Sequence, residues 1–148
     1  MAEGLVIRLP KEDDIKKAAL LEKEIFTHPW SESDFLCQSK DNNSLFLVAD
    51  VNNKIVGYIS VSMVLDESSI NTIAVDKSYR GSGIASALIK RALKEIYKRC
   101  SFLTLEVRES NVAAISLYSS LEFKTVGKRP HYYRDPDETA ILMTKYLK

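Results

Sequence analysis

The sequence predicts an α/β domain built on a mixed sheet, and three observations carry that prediction. Runs rich in β-branched residues, such as Ser69-Ile70-Asn71-Thr72-Ile73-Ala74-Val75, alternate with amphipathic stretches at helical spacing. That strand is followed by a glycine turn, a long amphipathic segment to about Arg99 and a further strand from Phe102 to Val107. Such a β-loop-α-β unit should place its two strands side by side and parallel, with a right-handed connection. Upstream, Val51-Asn52-Asn53-Lys54 supplies turn chemistry between two apolar runs, which should form an antiparallel hairpin. The resulting order, β-α-α-β-β-β-α-β-α-β-β, fits one domain over residues 1–148, a length that buries a core without staples.

Each element has its own signal. Val6 to Leu9 reads as a short first strand. Pro10 and Lys11-Glu12-Asp13-Asp14 suit the first turn of a helix, where proline is tolerated and acids favour the positive end. Ile15, Ala18, Ala19, Leu21 and Ile25 carry that helix to about Phe26. Ser31 with Asp34 three positions on forms a capping box, which starts a second helix after Trp30. Leu45 to Ala49 and Ile55 to Leu65 are the hairpin strands. In the long helix after the glycines, Arg91, Lys94, Glu95 and Lys98 define a wet face, and Ile84, Leu88, Ile89, Ala92, Leu93 and Ile96 are left for the core. A short helix from Asn111 to about Leu121 follows, then strands near Phe123 to Lys128 and Ala140 to Tyr146.

Composition excludes several classes of function. Twenty-one basic against 20 acidic side chains leave a formal charge of +1, which argues against a broad nucleic-acid or membrane surface. The longest apolar runs, such as Leu45 to Ala49, fall far short of a bilayer span, and no signal-like stretch opens the chain, so a cytoplasmic location is expected. Cys37 and Cys100 lack a C-x-x-C partner or a histidine at ligand spacing; both are expected to be reduced and partly buried, with no metal. His28 and His131 lack a nucleophile in a triad-like setting and read as loop histidines. The Lys124 to Arg134 stretch mixes bases with aromatics, but in a nearly neutral chain it reads as a solvated strand edge or a substrate-facing loop.

Two constellations bear on chemistry. Arg80-Gly81-Ser82-Gly83-Ile84-Ala85 sits where a helix begins, with orphan amides and a positive dipole end that glycines would let an anion approach. It lacks the Lys-Ser or Lys-Thr of a nucleotide P-loop and is not G-x-G-x-x-G. Taken alone it is either an ordinary turn or a phosphate cradle. In Leu105-Glu106-Val107-Arg108, strand alternation puts Glu106 and Arg108 on the face opposite Leu105 and Val107. On the following helix Asn111, Ala114, Ile115 and Tyr118 form one stripe, with Asn111 and Tyr118 about 10 Å apart along the axis. Asn111 as a plain N-cap and Tyr118 as a plain core aromatic would give the same pattern.

Three separated segments together resemble one family. Asn71-Thr-Ile-Ala-Val75, Arg80-x-x-Gly83-x-Ala85 and Asn111-x-x-Ala114-x-x-Leu117-Tyr118-x-x-Leu121-x-Phe123 have the order and spacing of the GCN5-related N-acetyltransferases (GNAT). Pro29-Trp30-Ser31-Glu32, Val64-Leu65-Asp66-Glu67, Leu105-Glu106-Val107-Arg108 with Asn111, and Tyr132-Tyr133 are similar to its ribosomal-protein-alanine branch. The resemblance spans about Leu5 to Met143. It implies a mostly antiparallel sheet of six to seven strands flanked by four helices, with a splayed parallel pair that admits the coenzyme.

It also implies acetyl transfer from acetyl-coenzyme A, without a metal, to an amine. By the resemblance, the amides of Arg80, Gly81, Ser82, Gly83, Ile84 and Ala85 hold the pyrophosphate, and Ile73, Ala74 and Val75 pair with pantetheine. Asn111 and Tyr118 also contact the coenzyme, Glu106 is the general base and Tyr118 the general acid. The implied acceptor is a protein N-terminus, the alanine of a small-subunit ribosomal protein, met by a monomer or weak dimer with no direct nucleic-acid or membrane contact. An acetyltransferase for a lysine or a small amine, or a non-catalytic acyl-coenzyme A module, are the alternatives. One position departs from the family: Leu121-Glu122-Phe123 stands where Leu-Gly-Phe is usual, so the end of that helix is in question.

Overall fold

A computed structural model describes residues 3–147. Its elements are β1 (Leu5–Arg8), α1 (Glu12–Ile25), α2 (Glu32–Lys40), β2 (Ser44–Val51), β3 (Lys54–Val64), β4 (Glu67–Val75), α3 (Ile84–Ile96), β5 (Phe102–Arg108), α4 (Val112–Ser120), β6 (Lys124–Tyr133) and β7 (Glu138–Tyr146). The strands form a seven-stranded sheet in the order β1-β2-β3-β4-β5-β7-β6, antiparallel except for the β4/β5 pair. The predicted fold class is therefore the observed one. The parallel register runs from Glu67 opposite Phe102 to Ser69 opposite Thr104, and both strands continue past it.

Local chemistry explains the boundaries. Asn52 and Asn53 both take positive φ, 50° and 72°, which is the two-residue turn whose twist matches a hairpin. Register then places Val51 opposite Lys54. Ser31 accepts from the Asp34 amide while Asp34 accepts from the Ser31 amide, the capping box that the sequence predicts. Helix α1 begins two residues beyond Pro10, at Glu12, because Asp14 reaches back to the Lys11 amide at 2.7 Å. Strands β6 and β7 run further toward each other than predicted, and only residues 134–137 lie between them. Helix α3 ends at Ile96, short of Arg99.

Contacts divide the chain into two compact units. The first gathers the chain through Ser62 together with Asn71–Ile96. Its core packs α1 and α2 on β2, β3 and β4 through Ile15, Ala18, Phe35, Phe46, Val48 and Tyr58, all buried. Phe35 lies 5.3 Å, centroid to centroid, from Trp30, Phe46 and Tyr58. The Tyr58 hydroxyl, the Thr72 hydroxyl and the Trp30 amide all donate to the buried carboxylate of Glu22. Gly57 is compulsory here, since a Cβ would come 2.8 Å from the Ala74 carbonyl oxygen. In α3 the expected core residues are buried except Leu93, which is half-buried.

The second unit gathers Met63–Ile70 and the chain from Tyr97 on. Leu103, Leu105 and Val107 of β5, Tyr118 of α4, Phe123, and Ala140, Ile141 and Met143 of β7 are among its buried side chains. The cysteines correct one expectation: neither is partly buried. Cys37 is exposed on α2, and Cys100, ahead of β5, is fully enclosed, which suits a small apolar side chain.

Candidate active site

In the first unit the glycine stretch lies between β4 and α3. Gly81 and Gly83 have φ of 81° and 82°, a region that favours glycine, and a Cβ built on Gly81 would meet nothing within 4 Å. The backbone is thus bare and open on one side where α3 begins, and first-turn helix amides have no partner within the helix. Polar side chains in the stretch turn back on the protein. The Ser82 hydroxyl donates to the Tyr79 carbonyl, and Arg80 Nε donates to the Val75 carbonyl at 3.2 Å. Ile84 and Val75 are buried, Ala74 is buried, and Ile73 and Ala85 are half-buried. The exposed groups of this turn are therefore its main chain and the Arg80 side chain.

In the second unit, alternation along β5 buries Leu105 and Val107 and turns Glu106 and Arg108 the other way. The Glu106 side chain is 31% exposed. Arg129 on β6 brings a guanidinium nitrogen to 4.0 Å of its carboxylate, and the same guanidinium lies 5.7 Å over the Tyr132 ring. The pull of the Glu106 carboxylate on the Tyr132 hydroxyl, helped by burial, raises the Tyr132 phenol. Tyr133 packs edge-on against Tyr132 at 5.1 Å. Burial first, then the negative field of Glu106, pushes the Tyr133 phenol up to about 12.

Helix α4 presents Asn111 and Tyr118. Asn111 is the N-cap, its carbonyl oxygen accepting from the Ala114 amide at 3.1 Å. Tyr118 is 7% exposed, and burial alone pushes its phenol up to about 12. The helix closes just beyond it: the Phe123 amide donates to the Tyr118 carbonyl and the Glu122 amide to the Ser119 carbonyl, both at 3.0 Å. That pair of bonds is a Schellman closure, and the Tyr118 and Phe123 rings make its apolar contact at 6.0 Å. Glu122 takes φ of 72° to complete it, as the usual glycine would. The helix end in question thus forms, in a conformation that a Cβ strains.

The structure brings Glu106, Asn111 and Tyr118 into one unit and Ile73, Ala74, Val75 and Arg80 to Ala85 into the other. Alternation gave the face of Glu106 and the family resemblance its role and the Tyr132-Tyr133 motif, but neither showed what surrounds its carboxylate. Arg129, Tyr132 and Glu138 reach the site through the β6–β7 hairpin, whose bulges between Arg129 and Tyr133 leave no periodic trace. Among the described residues no group of three or more His, Cys, Asp or Glu could hold a metal, and no helix is long and apolar enough to cross a membrane.

Residues 15–123 match the model of the acetyltransferase (GNAT) family. The chain is 37% identical over 133 residues to the [ribosomal protein bS18]-alanine N-acetyltransferase of Escherichia coli (strain K12), covering 88% of this chain and 89% of that one. The crystal structure of the ribosomal-protein-S18-alanine N-acetyltransferase from Escherichia coli superposes with a TM-score of 0.88 at 34% identity, over 97% of this chain and 94% of that one. Ard1 from Thermoplasma volcanium gives the same TM-score at 27% identity, over 97% of both chains. The chain belongs to the acetyltransferase (GNAT) family, as an N-acetyltransferase that draws on acetyl-coenzyme A.

Proposed function

We propose that this chain acetylates the N-terminal α-amine of a protein, with the N-terminal alanine of a small-subunit ribosomal protein as acceptor. The observation that carries the reading is the setting of Glu106, one carboxylate walled by Tyr132 and Tyr133, in a chain so similar to the Escherichia coli enzyme for ribosomal protein bS18. The domain would work in the cytoplasm as a monomer or weak dimer, residues 1–148 acting together.

The chemistry follows from the residues. An α-amine attacks a thioester only when its lone pair is free, and with a pKa near 8 about a tenth of it is neutral at pH 7. Glu106, directly or through water, takes the proton of the remainder. The amine nitrogen then bonds to the acetyl carbon and gives up a second proton to solvent, the C–S bond breaks, and coenzyme A leaves as a thiolate. Tyr118, its phenol pushed up to about 12, stays protonated throughout the neutral range. Full transfer to a thiolate of pKa near 8.5 runs uphill, so Tyr118 serves by hydrogen-bonding the sulfur as charge builds, and solvent completes the protonation. For the coenzyme, the open backbone from Arg80 to Ala85 suits the pyrophosphate and the end of β4 at Ile73, Ala74 and Val75 suits pantetheine. The amide nitrogen of Asn111, whose oxygen is engaged as cap, is left as donor to the arm.

Mass spectrometry of a peptide panel incubated with acetyl-coenzyme A tests the reading. A peptide with a free N-terminal alanine should gain one acetyl group and its N-terminally blocked counterpart none, even when it carries lysines. Glu106→Gln should lower kcat about 10²- to 10⁴-fold and Tyr118→Phe should also lower it. Acetylation of the blocked peptide, or wild-type rates in both variants, would overturn the proposal.

A further inference from the structure

Arg108 lies two residues beyond Glu106 on the same face of β5, and the acetyl-transfer chemistry gives it no part. Yet it gathers the whole turn between β6 and β7. One terminal nitrogen donates to the Pro136 carbonyl at 2.9 Å and to Glu138 Oε1 at 3.3 Å, and the other donates to the Arg134 carbonyl at 3.0 Å. Its guanidinium carbon sits 4.5 Å over the Tyr133 ring centroid. Only an arginine offers a planar face for the ring and a fork of donors for divergent carbonyls at once. The second oxygen of Glu138 accepts from the Ser110 amide, next to the Asn111 cap. Both side chains are sheltered, at 26% and 17% exposure.

We propose that Arg108 and Glu138 form a clamp that fixes the 134–138 turn and holds the Tyr133 ring as a rigid wall beside Glu106, so that both are positioning residues for acceptor recognition. The clamp ties three segments of one unit together: the end of β5, the turn into α4 and the start of β7. Tyr133 feels the charge of Glu106 and the proximity of Tyr118 as well as Arg108, so a tilt of its ring changes the space in which an amine meets the base. This inference rests on the acceptor reading given above.

The test compares wild type with Arg108→Met, Arg108→Lys and Glu138→Gln, using a peptide with a free N-terminal alanine and amide hydrogen exchange across residues 130–138. Arg108→Met keeps the aliphatic stem and loses the donors. It should raise the peptide KM about tenfold or more while the acetyl-coenzyme A KM stays within about twofold, and it should speed exchange in the turn. Arg108→Lys should restore part of the peptide KM, because it keeps the cation over the ring without the fork. Glu138→Gln, nearly isosteric, should move the peptide KM in the same direction if Arg108→Met proves unstable. Equal changes in both Michaelis constants, or no change in either, would overturn the clamp. If the wild type acetylates no α-amine peptide, the acceptor reading falls by itself, and unchanged exchange at 134–138 in Arg108→Met then overturns the clamp independently.

Discussion

Glu122 shows how one residue is held against its own preference. Its φ of 72° costs a residue with a Cβ about 1–2 kcal/mol relative to glycine, yet the Schellman bonds and the Tyr118–Phe123 contact need that conformation. Its side chain, 84% exposed, reaches the Lys145 ammonium at 3.7 Å, a surface pair worth little. Glu122→Gly should therefore raise stability by about 1 kcal/mol, after allowance for the entropy that glycine adds to the unfolded chain. Urea denaturation checks it, and an unchanged or lowered midpoint would show that the strain is relieved elsewhere. The position was legible in the sequence because the helix and the phenylalanine after it could be placed. That it would take the glycine conformation was not, since that depends on the fit of Tyr118 against Phe123. Glu106 was legible for a simpler reason: alternation along one strand suffices to turn it away from Leu105 and Val107.

At the scale of elements, the turn between β4 and α3 has the backbone that a cradle would need, and binding tests it. Two glycines with positive φ, a side of Gly81 with nothing within 4 Å, and a serine bonded back to Tyr79 leave the main chain open beside the exposed Arg80. Valine at position 83 would bring a branched side chain into the left-handed region and move the amides that follow. Gly83→Val should thus weaken acetyl-coenzyme A binding about tenfold or more, whereas Ser82→Ala should leave it within about twofold. Isothermal calorimetry reads both, and normal binding by Gly83→Val would remove the cradle. Both strands of the β6–β7 hairpin were legible, but its far end, from Arg129 to Glu138, was not. A strand that is exposed almost throughout and bulged between Arg129 and Tyr133 has neither an apolar period nor a fixed register to reveal that Tyr132 and Arg129 converge on Glu106.

Over the whole molecule, the order of elements was legible because each carries a strong local pattern, while the links between distant side chains were not. Those links set the response to pH. Asp14, although burial works against its charge, is held below the usual carboxylate range by Arg8 at 2.6 Å and the Lys11 amide. Glu138 is lowered by the Ser110 side chain first, then by the Ser110 amide and Arg108. Carboxylates depressed in the folded state lend stability that is fully present above their unfolded pKa of about 4 and is lost as pH falls through the lower folded values. The alkaline side is the mirror image. Tyr58, buried against Glu22, is raised, and Tyr118 and Tyr133 are pushed up to about 12, so each favours the folded state below its unfolded pKa near 10 and loses that contribution as pH climbs toward the folded value. Unfolding near pH 11 should therefore release between about two and three protons per molecule from these phenols, and stability should fall steeply there after a plateau between about pH 5 and 9. Tyr118→Phe should remove close to one of those protons, because Tyr118 is shifted by burial alone and leaves no charge behind. Chemical denaturation as a function of pH measures the slope, and an alkaline limb equally steep in Tyr118→Phe would show that this phenol titrates alike in the folded and unfolded chain.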